Sequence, residues 1–288
     1  MKILQAVLLV FFLCSIRILN GQNIAKMEVV YRIHNMDKIK SEQRLYKKSG
    51  EDNLMADIYY PINIESRAKL PIVVFIFGYS DDDIMKAMGM GSKLKKMGQY
   101  TSWGKLIAAS GMIAVTYETQ NPYNDTKDLL AYLNENADDL KIDKEKICLW
   151  SCSGNVPTAL SFLMNDRNEY LKCSVLYYGF MPTPDGQYNA VLDSVSQVVP
   201  FSIDAISNIK HYHKDLPLLI VRAGLDNVPR LNETLDYFIK QAILNNMPIT
   251  FFNYSNGHHG FDIRDDNEIS RYIIKQTIEF VKLHLNVQ

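Results

Sequence analysis

The sequence predicts an α/β fold: a mostly parallel central sheet with helices on both faces. Short, continuously apolar and β-branched runs recur along the chain, and amphipathic segments of helical period stand between them. That alternation is the sequence form of strands joined by helical crossovers, and a run apolar at every position is a strand covered on both faces. No internal repeat, Pro/Ser-rich linker or low-complexity tract interrupts the series. A length of 288 residues, 47% of them hydrophobic and 22% charged, suits one large globular domain, expected over 23–288.

The elements follow in order. Residues 1–22, "MKILQAVLLVFFLCSIRILNGQ", open on a lysine, continue apolar from Ile3 to Ile16 and turn polar, the layout of a secretory signal peptide. The apolar run is short for a membrane span. The expected mature protein is therefore exported, periplasmic or extracellular, with no stable membrane insertion once the signal is removed. Next, "QRLYKKSGEDNLMADIYYP" alternates on either side of a Gly-Glu-Asp turn, which predicts an antiparallel hairpin at the sheet edge. "LPIVVFIFG" is a buried strand, "TSWGKLIAAS" a helix and "GMIAVTYE" a second buried strand. Then come a helix over "TKDLLAYLNENADDL", the strand "KICLW", a helix after Asn155 and the strand "CSVLYYG". Regularity fades across 181–215, which is long for an ordinary connection and is expected to form a cap over the C-terminal strand ends. The strand "LPLLIVRAG", a helix from about Leu231, the strand "PITFFNYS" and a helix over "NEISRYIIKQTIEFVKLHL" complete the chain.

Composition narrows the function. Lys plus Arg number 31 against 32 acidic residues, so the balance points to neither nucleic acid nor an anionic membrane as partner. With Cys14 lost in the signal, Cys148, Cys152 and Cys173 remain, an odd number in an exported chain, which argues against a disulfide framework. Their spacing fits no zinc pattern, and His211 and His213 in "HYH" lack a third ligand at useful distance. No metal or cofactor is expected. Oligomeric state is left open.

The chemistry concentrates at "ICLWSCSGNVPTAL", where a strand ends and a helix begins. A nucleophile mounted on such a turn sits in a strained conformation and needs small neighbours two positions to either side. With Ser151 in that role one flank is Leu149, and with Cys152 it is Trp150; both are too bulky. With Ser153 the flanks are Ser151 and Asn155, the first small and the second tolerant of unusual backbone angles. Ser153 is the preferred nucleophile, although neither flank is glycine. A serine needs an imidazole to take its proton and a carboxylate to orient that imidazole. Asp226 follows the strand "LPLLIVRAG", with Asp185 in "TPDG" as a fallback acid, and His258 and His259 follow "PITFFNYS".

Taken together, "LMADIYYP", "LPIVVFIFGY", "WGKLIAASGMIAVTYE", "ICLWSCSGN", "RAGLDNVP" and "NGHHGFD" resemble, in this order and over nearly the whole mature chain, the dienelactone-hydrolase and carboxylesterase branch of the α/β-hydrolase superfamily. The resemblance implies Ser153 as nucleophile, Asp226 as acid and His259 as base, since members place the catalytic histidine directly before Gly-Phe. It also implies an oxyanion hole from the main-chain N–H groups of Gly154 and Tyr79. Phe77 stands where relatives often carry histidine and removes a polar buttress from the Tyr79 loop. The Met-rich segment from Ser80 to Gln99 reads as a mobile rim or solvated loop that supplies Met85, Met88 or Met90 to a pocket, and Trp103 and Tyr178 are further candidates for its lining. The implied activity is cleavage of a small-molecule carboxylic ester through an acyl-enzyme. Three alternatives stand beside it. A dienelactone hydrolase proper would use Cys152, a prolyl-oligopeptidase-like peptidase would share the catalytic domain with a propeller that these residues do not contain, and a binding module that has lost catalysis would account for Phe77, Ser151 and Asn155.

Overall fold

The computed structural model describes residues 24–50, 52–62, 64, 69–165, 169–183 and 215–287. The expected signal segment, nearly all of the expected cap, and Asp185, His211 and His213 lie outside the described residues.

Eight strands form one sheet: β1 (Ser41–Ser49), β2 (Asp52–Tyr59), β3 (Leu70–Phe75), β4 (Ile113–Tyr117), β5 (Ile142–Cys152), β6 (Leu171–Tyr177), β7 (Leu218–Ala223) and β8 (Ile249–Tyr254), in the order β1-β2-β4-β3-β5-β6-β7-β8. β1, β2 and β4 pair antiparallel, and every other neighbouring pair is parallel. The hairpin between β1 and β2 turns at Gly50, whose φ of 61° lies where glycine is favoured. β4 is buried at all five positions and β3 at all but its first, as their unbroken apolar sequences require.

Seven α-helices are seen among the described residues: α1 (Asp81–Met88), α2 (Gly98–Ala109), α3 (Pro122–Glu135), α4 (Val156–Asn165), α5 (Leu231–Leu244), the single turn α6 (Phe261–Arg264) and α7 (Glu268–His284). Two of the expected helices begin at caps legible in the sequence. Asn121 precedes Pro122, a residue suited to the first helical position, and the Asn267 side chain accepts from Ser270 N–H at 3.0 Å. α2 and α7 meet the sheet through Tyr177, whose ring lies 5.9 Å from Trp103 and whose hydroxyl pairs with Thr277.

One expectation is corrected. The segment from Ser80 to Gln99 is not a solvated loop: it contains α1 and a short 3-10 turn, Leu94–Lys96. Ser80 caps α1 by accepting from Asp83 N–H at 3.1 Å, three aspartates in the first turn suit the positive end of the helix, and Gly89 ends it at φ 63°. The 3-10 turn is fastened from below. Buried Asp81 accepts from Leu94 N–H and Thr119 N–H, both at 2.9 Å. Fully buried Lys95 reaches Asp57 at 3.2 Å and Glu118 at 3.0 Å.

Residues 24–35 lie across α2 and α6: Gly98 N–H donates to Ala25 O at 2.7 Å, Val29 N–H to Ser102 Oγ at 2.8 Å, and Val30 N–H to Asp262 O at 2.8 Å.

Candidate active site

β5 ends with Cys152 in extended conformation, φ −142° and ψ 156°, and the next residue, Ser153, turns to φ 55°. A serine in the left-handed region is strained, and the turn closes only because its neighbours leave room. A Cβ on Gly78 would stand 2.6 Å from Gly154 O and 2.9 Å from Asn155 Cα. One on Gly154 would stand 1.6 Å from the Tyr79 hydroxyl. The loop after β3 thus lies directly against the turn, with Tyr79 over Gly154. Ser151 and Asn155, the residues flanking Ser153, are both buried. Asn155 also bonds: Gly78 N–H donates to its Oδ1 at 2.8 Å, and its Nδ2 donates to the Tyr100 hydroxyl at 2.9 Å.

Cys152 belongs to the strand. It shares a sheet face with Trp150 by the two-residue period, and its Sγ lies 3.6 Å from the Tyr100 hydroxyl. Burial, reinforced by the nearby Asp262 charge, pushes its thiol up to about 12. A thiol so shifted stays protonated and unreactive at neutral pH.

The loops after β7 and β8 supply the other groups. Gly224 N–H donates to Tyr254 O at 2.7 Å and Leu225 N–H to Gly257 O at 2.8 Å, which ties the loops together. A Cβ on Gly224 would stand 2.1 Å from Ser255 O, so this approach needs glycine. His259 Nε2 then lies 2.9 Å from Ser153 Oγ, and its Nδ1 lies 2.6 Å from Asp226 Oδ2. The Asp226 side chain is fully buried, and its Oδ1 accepts from Val228 N–H at 2.9 Å. His258 turns outward, with Nδ1 3.0 Å from Asp265.

A cavity of about 290 Å³ opens at Ser153 and His259. Tyr79 and Tyr178 line it, as do Met88, Met90 and Met97. Met85 does not: Ile84 and Met88, four apart on α1, face the cavity, and Met85, one position on from Ile84, packs partly buried against the core. Trp103 does not either. It sits about one turn further along α2 than the lining residues Gln99 and Tyr100, is fully buried, and donates Nε1–H to Asp262 at 2.8 Å.

Sequence reasoning did not single out Asp262, although it closes the quoted "NGHHGFD". Its carboxylate is wholly buried and accepts from Trp103, from Gln99 Nε2 at 2.9 Å and from the Tyr178 hydroxyl. Burial raises its carboxyl above the usual range, partly offset by those three donors. Tyr178, at φ 32°, lays its ring edge-on to His259 with centroids 4.9 Å apart. The available signal was an acid three residues beyond the histidine, set between Phe261 and Ile263.

Compared by sequence, the chain matches no protein-family model and no curated protein. Compared by structure, it is similar to a thermophilic esterase, Est2, from the Planctomycetes species Thermogutta terrifontis: TM-score 0.66 at 17% identity, over 84% of this chain and 92% of that one. The chain has the α/β-hydrolase fold. A butyrate-bound structure of the same esterase aligns with TM-score 0.64 at 18% identity, over 85% and 93% of the two chains. Its tabun-phosphoramylated form aligns with the same score, identity and coverage. Within this hydrolase fold the Ser153 turn follows β5, and the Asp226 and His259 loops follow β7 and β8, all at C-terminal strand ends, where open α/β sheets bind ligands.

Proposed function

We propose that this protein is a serine hydrolase that cleaves carboxylic esters. One observation carries the reading: a serine at positive φ lies 2.9 Å from an imidazole whose second nitrogen lies 2.6 Å from a buried carboxylate. In this reading Ser153 Oγ attacks the ester carbonyl while His259 Nε2 takes its proton. Asp226 holds the proton on Nδ1 and stabilises the imidazolium that forms. The N–H groups of Gly154 and Tyr79 receive the charge that develops on the carbonyl oxygen. Collapse expels the alcohol, protonated by His259, and water attacks the acyl-Ser153 ester by the same route.

A cavity lined by Ile84, Met88, Met90, Leu94 and Met97 suits an apolar acyl or alcohol group. Structures of the similar esterase hold butyrate and propionate, which favours short acyl chains as the first substrates to try here. The same esterase is found phosphonylated by sarin, which recommends an organophosphorus probe. Cys152, buried with a raised thiol, gives no support to a cysteine-dependent dienelactone hydrolase. Residues 1–22 would export the enzyme to act on esters outside the cytoplasm.

The test is turnover of p-nitrophenyl butyrate and labelling by a fluorophosphonate. Ser153→Ala is expected to abolish both, and undiminished labelling of that variant would remove Ser153 from the mechanism.

A further inference from the structure

We propose that Asn155 is a positioning residue for the oxyanion hole, setting the loop that carries Tyr79 through a hydrogen bond to the Gly78 main chain. The inference rests on the serine-hydrolase reading above and adds a role for a position where the resembled motif, G-x-S-x-G, has glycine.

The Gly78–Tyr79 segment must hold a fixed height above Ser153, because an N–H donor stabilises an oxyanion only when already aimed at the place where the charge develops. In this chain two side chains tie that segment by its own N–H groups. The Tyr117 hydroxyl accepts from Phe77 N–H at 3.2 Å, and Asn155 Oδ1 accepts from Gly78 N–H at 2.8 Å. The second tie belongs to the turn that carries the nucleophile. Asn155 lies two residues beyond Ser153, so its amide fixes the loop relative to the attacking oxygen.

The amide is itself oriented. A main-chain N–H can only donate, so the atom facing Gly78 is the oxygen, and the nitrogen must face the Tyr100 hydroxyl, 2.9 Å away. Tyr100 is in turn packed edge-on against Phe77, with ring centroids 4.7 Å apart. The result is a closed circuit from Phe77 through Tyr100 and Asn155 back to Gly78. Asn155 is only 3% exposed, and the Cβ that Gly78 lacks would stand 2.9 Å from Asn155 Cα, so the two backbones are in contact and the bond cannot lengthen without moving the loop. Asn155 does not touch the reacting atoms in this scheme; it acts through Gly78 on the Tyr79 donor.

The experiment compares wild type, Ser153→Ala, Asn155→Ala, Tyr100→Phe and the double variant Asn155→Ala/Tyr100→Phe on p-nitrophenyl butyrate. Active sites are counted by fluorophosphonate titration, so that kcat refers to folded, reactive enzyme. Asn155→Ala is expected to lower kcat between about tenfold and a hundredfold, the scale of a small misplacement of a catalytic group, with KM changed less than about twofold. Tyr100→Phe leaves Oδ1 in place and is expected to cost less. The double variant should be no slower than Asn155→Ala, because the tyrosine acts through the amide. Unchanged kcat per active site in Asn155→Ala overturns the proposal, as does a loss that appears wholly in KM or adds fully to that of Tyr100→Phe. Absence of turnover and labelling in the wild type overturns the hydrolase reading itself and this inference with it. If Asn155→Ala yields no folded enzyme, Asn155→Gly decides: it removes the acceptor for Gly78 N–H and places the residue of the resembled motif there, so a lowered kcat per active site supports the role and a fully wild-type kcat overturns it.

Discussion

Replacing Asp226 with asparagine tests the proposed mechanism at its least ambiguous point, because the side chain keeps its shape and loses only an acceptor. Asp226 uses both oxygens: Oδ2 faces His259 Nδ1 at 2.6 Å and Oδ1 accepts from Val228 N–H at 2.9 Å. An amide offers one acceptor, and each of its two orientations fails differently. With its oxygen kept toward Val228, the NH2 faces Nδ1; the imidazole then carries its proton on Nε2 and has no lone pair for Ser153. With the amide reversed, the NH2 meets Val228 N–H, donor against donor, in a fully buried place. Leaving that N–H unpaired costs about 1–3 kcal/mol, so the first, unproductive arrangement dominates. Losing the correct tautomer in a Ser-His-Asp arrangement costs about four orders of magnitude in kcat, or about 5 kcal/mol in the barrier. The expected outcome for Asp226→Asn is therefore a kcat on p-nitrophenyl butyrate about 10³ to 10⁴ below wild type, KM nearly unchanged, and fluorophosphonate labelling slowed in parallel. A loss smaller than about tenfold would refute the assignment of Asp226 as the orienting acid.

Two further outcomes follow from the buried groups beside the site. With its thiol pushed up to about 12, Cys152 at pH 8 should react with iodoacetamide about a thousandfold more slowly than an ordinary cysteine, as read by peptide mass mapping, and Cys152→Ala should keep most of its turnover. Alkylation at the pace of a free thiol, or an inactive Cys152→Ala, would reopen the choice of nucleophile. Asp262→Asn leaves at least one of the Trp103, Gln99 and Tyr178 donors short of an acceptor and should destabilise the fold by about 1–3 kcal/mol. The effect has a pH signature. Burial raises the Asp262 carboxyl, so the folded state holds that proton more tightly than the unfolded chain does, and stability is lost as pH rises from the ordinary aspartate range through the raised value. Thermal midpoints measured across that range should show wild type losing part of its advantage over Asp262→Asn as pH rises; an advantage that grew with pH would contradict the assigned shift.

The sheet and its helices were legible because each rests on a local signal. Unbroken apolar runs became β3 and β4, the alternating pair around Gly50 became the edge hairpin, and the three-to-four periodicity near the C-terminus became α7. The site was legible in part for a different reason: excluding Leu149 and Trp150 as flanks is a steric argument that needs only residue size. What the sequence hid depends on distant partners. Lys95 reads as a solvated charge until Asp57 and Glu118, far away in the chain, close around it. α1 is hidden by the Met-rich, glycine-broken and charged character of its segment, although Ser80 before it and Gly89 after it are start and stop signals at helical spacing. Met85 and Trp103 failed as pocket residues because composition gives a side chain's size and not its phase or depth on a helix. For Asn155, too, the sequence offered its size and tolerance of strain, and no indication of what its amide would bind.

That last gap changes the weight of the departures from the resembled motif. Counted separately, a phenylalanine in place of a histidine at 77 and an asparagine in place of a glycine at 155 are two losses, and both favour a hydrolase fold without catalysis. In the structure they belong to one arrangement. The apolar ring at 77 packs against Tyr100 and lies 5.1 Å, centroid to centroid, from Tyr117, and these two tyrosines carry the hydroxyls that meet the Asn155 amide and Phe77 N–H. A histidine would buttress the loop with its own polar side chain; here the loop's N–H groups are taken up by Tyr117 and Asn155 instead, and the ring at 77 serves to pack the tyrosines in place. Glycine at 155 would leave Gly78 N–H buried without that acceptor, at the cost of an unmade hydrogen bond. The two departures therefore compensate each other, and the loop is held in place beside a serine strained at φ 55°, as the proposed mechanism requires.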